Sequence, residues 1–130
     1  MTNTQMTKEQ ASMLPAASLA YLGDAVLEIF VREELVRSGV KNPSIESLKY
    51  VTAPNQSAAL EKILPHLSED EEAEFRRGRN CVHSGVPKSS TPAQYRRATG
   101  LEVLFAYLYL TGNESRAREL FRLGYGGETP

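Results

Sequence analysis

Tryptophan is absent from the 130-residue sequence, and Cys81 is its one cysteine. A lone thiol excludes an intramolecular disulfide and any metal centre built from several cysteines, and it fits a reducing cytoplasm. Long apolar runs are missing too. None approaches the ~18 residues that a membrane span requires, so neither a transmembrane segment nor a membrane partner is expected. The opening stretch, MTNTQMTKEQAS, carries one lysine and one glutamate with no apolar run behind them, unlike a secretory leader. An excess of one charge sign is also lacking: 15 Lys and Arg stand against 16 Asp and Glu, for a balance of −1. What is present is ordinary for a globular chain, with 41% hydrophobic and 24% charged residues. The length suits one core and is short for two. A single domain over residues 1–130 is expected, with frayed ends at 1–14 and 124–130.

Alternation with period two, the mark of strands, is not sustained anywhere, whereas apolar residues recur at spacings of three and four. Leu19, Leu22, Val26, Ile29, Phe30 and Leu35 predict a helix over 16–38, with Gly39 as its cap. Ser44 opens a short helix over 45–51 that stops before Pro54, and Asn55 opens another through Leu64, ended by Pro65. Ser68 precedes four acids, an N-cap followed by carboxylates where the helix dipole favours them. That helix is expected to reach about Cys81 or His83. Residues 84–94, SGVPKSSTPAQ, have the composition of a loop. A long helix from Pro92 or Ala93 to Leu110 and a last one from Asn113 to about Leu123 complete an all-α fold of six or seven helices.

Two carboxylates interrupt apolar helices. Asp24 lies within LAYLGDAVLEIF (19–30) and Glu102 within GLEVLFAYLYL (100–110). Helices this apolar are mostly buried, and a buried carboxylate is costly unless it is paired, hydrogen-bonded or bound to a metal. Each residue alone could face solvent or an arginine. If the two helices pack side by side, the carboxylates meet, and two such groups cannot both stay ionised cheaply without a cation. Oxygen-only ligation by a few carboxylates is what Mg²⁺ prefers, and such sites serve phosphodiester hydrolysis. Glu28, one turn beyond Asp24, is a candidate for an outer position on the same face.

Charge is unevenly distributed. Residues 76–101 hold Arg76, Arg77, Arg79, Lys88, Arg96 and Arg97 and no acid, directly after five acids in 69–74. Gly78 would allow a backbone to approach closely. The plain alternative is a solvated face whose arginines pair with the acidic run. The absence of acids over so long a stretch favours a phosphate-rich partner. Only Tyr95 is interleaved with these cations, which favours backbone contacts to a duplex over base stacking on a single strand. Other constellations lead nowhere. His66 and His83 lack the spacing of a zinc site. Cys81 and His83, two apart on a helix, do not face each other. Gly124, Gly126 and Gly127 have no strand before them and are not a phosphate loop. Tyr107 and Tyr109 read as packing residues.

These residues resemble a family. YLGDAVLE (21–28) is similar to the signature helix of the ribonuclease III catalytic domain, and TGLEVLFAYLYL (99–110) to its second acidic helix. FRRGRN (75–80), a loop and YRRATG (95–100) are closer still to the short bacterial branch of that family, Mini-ribonuclease 3, which lacks a double-stranded-RNA-binding domain. The resemblance spans 15–123 and implies an α-helical homodimer with Tyr21 at the dimer contact. It also implies Asp24 and Glu102 as catalytic, Mg²⁺-holding carboxylates. Two acids of the wider family are replaced, by Ala20 and Thr99, which puts the number of metals in question. Two sites related by a two-fold axis would cut both strands of an RNA duplex and leave short 3′ overhangs. The substrate implied is the precursor of large-subunit (23S) ribosomal RNA. A ribosomal protein that presents it is left open.

Three functions compete on the sequence. The first is a Mg²⁺-dependent endoribonuclease of double-stranded RNA, with the six cations above as RNA-binding residues. The second is a ribonuclease III-like module that grips structured RNA with little or no cutting, motivated by the two replaced acids. The third is a helical protein–protein adaptor. The first is the expectation carried forward.

Overall fold

The computed structural model describes residues 5–81 and 91–126. The described residues form helices α1 (Lys8–Ser12), α2 (Ala16–Ser38), α3 (Pro43–Glu46), α4 (Leu48–Val51), α5 (Ala53–Ile63), α6 (Glu69–Arg79), α7 (Pro92–Leu110) and α8 (Glu114–Tyr125). A 3₁₀ turn over Leu64–His66 follows α5. No strand occurs among the described residues, as the missing period-two alternation requires.

Helix α7 is the axis of the molecule. Its stretch from Leu101 to Leu108 is buried at every position except Glu102, which explains why so apolar a segment folds as a helix at all. α2, α5, α6 and α8 pack around it. Phe30 of α2, Phe105 of α7 and Phe121 of α8 meet edge to face, with ring centroids 6.1 and 5.7 Å apart from Phe30. Each buried ring of this kind is worth about 2–3 kcal/mol in apolar transfer, so this cluster helps hold α2 and α8 against α7. No helix of the described residues is long and apolar enough to cross a membrane.

Several boundaries differ from those expected. The N-terminal stretch is not frayed over its described part. Thr7 and Gln10 form a reciprocal capping box that starts α1. Lys8 then reaches Asp70 at 2.6 Å, and Ser12 donates to Glu74 at 2.9 Å. These polar ties carry no apolar periodicity, so they leave no hydrophobic signal. At the other end, Gly124 and Tyr125 belong to α8 rather than to a loose tail, because the glycine seats against Ile63 and Ala59 of α5. Residues 127–130 and 1–4 lie outside the described residues. The helix expected over 45–51 is two short helices joined at Ser47, whose hydroxyl bonds back to the Ser44 carbonyl. Helix α5 begins at Ala53 with Pro54 in its first turn, where the missing N–H costs nothing. Helix α6 stops at Arg79, short of His83.

Candidate active site

Helices α2 and α7 cross at a glycine. A Cβ built on Gly23 would lie 1.7 Å from the Glu102 carbonyl oxygen and 2.8 Å from its Cα. Only a residue without a side chain lets the two backbones come this close. The crossing therefore carries Asp24, the next residue of α2, to Glu102. The two carboxyl groups lie within hydrogen-bonding reach of each other. Asp24 sits on the exposed rim and Glu102 is half-buried behind it. Burial, then the charge of Asp24, then the hydrogen bond between them push the Glu102 carboxyl up to about 8. No arginine or lysine of the described residues pairs with either, so the plain salt-bridge reading does not apply to them.

A second close packing holds Glu102 from behind. A Cβ on Gly78 of α6 would meet the Val103 side chain at 2.7 Å and the Gly100 Cα at 2.8 Å. One on Gly100 would meet the Phe75 ring at 2.6 Å. Gly78 does allow a backbone to approach, but that backbone is α7 and not a ligand. The two positions where the wider family has acids are filled otherwise. Ala20 is buried against Val103 and Ala106. Thr99 is buried with its hydroxyl donated to the Tyr95 carbonyl at 3.0 Å. Among the described residues no group of three or more His, Cys, Asp or Glu could hold a metal. Two hard oxygen donors that share a proton when no cation separates them are nevertheless a donor set suited to one hard divalent ion, with the exposed rim leaving room for water.

The proton held by Glu102 has a consequence for stability. The unfolded chain releases that proton near 4.5 and the folded protein near 8. Below pH 4.5 both states hold it, and its contribution is fully present. As pH rises toward 8 the unfolded state is increasingly favoured, so stability falls across this window and then levels. Melting temperatures measured in EDTA from pH 5 to 8.5 are expected to decline with this profile. Glu102→Gln is expected to flatten it.

The basic residues separate into two groups. Arg77 is half-buried and donates to the Leu14 carbonyl at 2.7 Å and to the Glu74 carboxylate at 3.0 Å. It pins the turn between α1 and α2 to α6. Arg76 pairs with Glu72 at 3.6 Å, and Arg97 pairs with Glu61 of α5. For Arg76 and Arg77 the pairing with the acidic run suggested by the sequence is realised, whereas Arg97 finds an acid outside that run. Arg79 lies over the Phe75 ring at 5.7 Å and among the described residues is bonded to Asn80 alone, and Arg96 is exposed with no carboxylate of the described residues paired with it. Lys88 and His83 lie outside the described residues. Glu28 is held by Arg32 at 2.5 Å and turned to that partner rather than to the acid pair. Tyr21 is 85% exposed, three residues before Asp24. It begins an apolar line along the outer face of α2 that continues through Ile29 and Val36.

Sequence reasoning overlooked Gly23 and Tyr125. Gly23 was visible only as part of a motif, and its contact partner is 79 residues away in sequence. Tyr125, in the supposed tail, lies close enough to Glu102 to feel its charge.

A ribonuclease III domain profile matches residues 17–113. The chain is 46% identical over 112 residues to the Mini-ribonuclease 3 of Symbiobacterium thermophilum, covering 84% of this chain and 86% of that one. It is 38% identical over 127 residues to the Mini-ribonuclease 3 of a Thermoanaerobacter species, covering 93% and 88% respectively. Its fold is similar to a crystal structure of a protein from Fusobacterium nucleatum, with a TM-score of 0.79 and 28% identity over 90% of this chain and 96% of that one.

Proposed function

Since the chain belongs to the ribonuclease III family and is an endoribonuclease acting on double-stranded RNA, we propose that it cuts with Mg²⁺ held by Asp24 and Glu102 and matures the precursor of large-subunit ribosomal RNA. The observation that carries the site assignment is the meeting of these two carboxyl groups at the Gly23 crossing, with Glu102 shifted to about 8. Mg²⁺ bound there supplies an activated water and neutralises charge on the phosphodiester. Asp24 offers its oxygen from the rim, open to the strand. Glu102, fixed between α2 and α6, would hold the cation together with Asp24 in its ionised form. A divalent ion is therefore expected to raise the melting temperature most above pH 8, where the pair would otherwise carry both charges.

A duplex is wider than one such site, and the exposed line from Tyr21 through Ile29 and Val36 starts three residues before Asp24. We take this face as the contact of a homodimer, with Tyr21 in that contact. Two sites related by a two-fold axis then act on opposite strands and leave short 3′ overhangs. The RNA backbone is held by residues of the 76–97 stretch. Arg79 and Arg96 have no carboxylate partner among the described residues, which supports them as the foremost contacts, whereas Arg76, Arg77 and Arg97 are each paired with an acid within the protein. Arg77→Ala should lower stability by about 2 kcal/mol, since it takes the cation from the buried Glu74 carboxylate, leaving it the Ser12 hydroxyl, and removes the bond to the Leu14 carbonyl. It should leave the salt dependence of RNA binding unchanged. Arg79→Ala and Arg96→Ala should leave the melting temperature alone and each reduce the slope of log K against log salt by about one. Thermal melts and binding titrations over a salt series separate the two groups.

The function is tested by incubating a long RNA duplex with the protein in Mg²⁺ and in EDTA, beside single-stranded RNA. Discrete Mg²⁺-dependent fragments from the duplex alone are the expected result. A duplex that is bound yet stays intact would favour the silent RNA-binding reading, which Ala20 and Thr99 motivate. Precursor ribosomal RNA with and without its ribosomal proteins then shows whether a protein presents the substrate in the cell.

A further inference from the structure

The neighbours of the acid pair decide how much of a metal's shell the protein can fill. Side chains three and four positions away share a helix face and are the first that could add a ligand. On α2, Ala20 and Leu27 are apolar and buried, Glu28 is held by Arg32, and Tyr21 is a neutral phenol on the exposed side. On α7, Ala98, Phe105 and Ala106 are apolar and buried. Thr99 is the one hydroxyl among these α7 neighbours. It is 2% exposed and donates to the Tyr95 carbonyl at 3.0 Å, which ties it to its own helix. From behind, α6 packs Gly78 and Phe75 against α7, and neither has a side-chain oxygen. Among the described residues, Asp24 and Glu102 are therefore the whole of the protein's share. Two carboxylates leave most of an octahedral Mg²⁺ shell to water and to phosphate oxygens. Charge points the same way, because two carboxylates balance one divalent cation and leave nothing for a second beside it.

We propose that Asp24 and Glu102 hold a single divalent ion per chain, and that the scissile phosphodiester supplies the anionic ligand the protein lacks, so that ion and duplex each bind weakly alone and tightly together. This rests on the endonuclease reading above and adds to it the number of ions and their dependence on substrate. The coupling is reciprocal: the factor by which the duplex strengthens the ion is the factor by which the ion strengthens the duplex. Ala20 and Thr99, which pack and bond where further acids could stand, thus make the ion's residence conditional on an RNA phosphate.

Mn²⁺, whose free and bound forms are separated by electron paramagnetic resonance, is titrated into the protein alone. It is then titrated into the protein with a short RNA duplex that has 3′ overhangs and phosphorylated ends, the form that such cleavage leaves, and with the same duplex after phosphatase treatment. Titrations of each duplex without protein remove the ions held by RNA itself. The expected result is one ion per chain, bound about tenfold or more tightly with the phosphorylated duplex than with the protein alone or with the treated duplex. Thr99→Asp adds a carboxylate to the same face of α7. It should tighten Mn²⁺ on the free protein and shrink the gain from phosphate, because the new acid takes the place that phosphate fills. Should that variant fail to fold, the wild-type comparison decides alone. Two ions on the free chain, or one ion whose affinity ignores the end phosphate, overturns the linkage while leaving the nuclease intact. No bound ion in any titration, together with no Mg²⁺-dependent cleavage of a long duplex, overturns both.

Discussion

Asp24→Asn is expected to reduce duplex cleavage by on the order of a thousandfold or more, while the protein stays folded and still shifts RNA on a native gel. The substitution changes one oxygen to an amide nitrogen at an exposed position and keeps the side chain's shape, so packing gives no reason for collapse. It halves the negative charge of the pair, and with it the attraction for a divalent cation. Losing one preorganised electrostatic element of a reaction centre commonly costs a hundred- to a thousandfold, and a two-acid site has no third acid among the described residues to compensate. The same change removes the charge that helps hold Glu102 protonated, so that carboxyl should fall from about 8 toward its ordinary value. The metal-free variant should accordingly be as stable as the wild type or more so at pH 8, with a flatter pH profile. Loss of activity together with retained or increased stability would identify a group kept for chemistry. Cleavage within tenfold of the wild type would remove Asp24 from the mechanism.

Both acids were legible in the sequence because each breaks an apolar helix, and a charge there must be accounted for. Helix α2 was legible to the residue for a related reason: its buried positions repeat with helical spacing, and Gly39 ends it in the left-handed region at φ 72°. Helix α1 was hidden because its stability comes from a capping box and from ties to Asp70, Glu74 and Arg77, none of which has a periodic signature. The RNA face was only half legible. Six cations without an acid among them look uniform along the chain, but Glu61, Glu72 and Glu74 approach three of them from other turns and another helix. Local charge counts cannot see such partners. Tyr125 was read as tail because GYGGETP has the composition of one. Its place is decided by Ile63 and Phe121, contacts that follow from the α7–α8 turn and not from the residues beside it.

Gly23→Ala, a single added methyl, should be the most damaging small substitution in the protein. Its Cβ would stand 1.7 Å from the Glu102 carbonyl oxygen and 2.4 Å from the carbonyl carbon, distances at which no rotamer choice helps because the obstacle is backbone. Alanine favours helix over glycine by about 1 kcal/mol, so at an open helical position the change would stabilise. Here α2 must instead shift away from α7 by more than an ångström, which unseats Leu19, Ala20, Leu27 and Phe30 from the core. Overpacking of a tight core typically costs 1–3 kcal/mol, and backbone collision places this case at or above the upper end. For a domain of this size that is a drop in melting temperature of roughly 10 °C or more. Function should fail sooner than folding, because displacing α2 also separates Asp24 from Glu102. A variant still folded at low temperature is therefore expected to be inactive, with the Glu102 carboxyl returned toward its ordinary range and little stabilisation by Mg²⁺. Circular dichroism melts, with and without Mg²⁺, alongside duplex cleavage at 10 °C would measure this. Full activity with an unchanged melting temperature would mean that the helices do not cross at Gly23, and the account of how the two acids meet would fall with it.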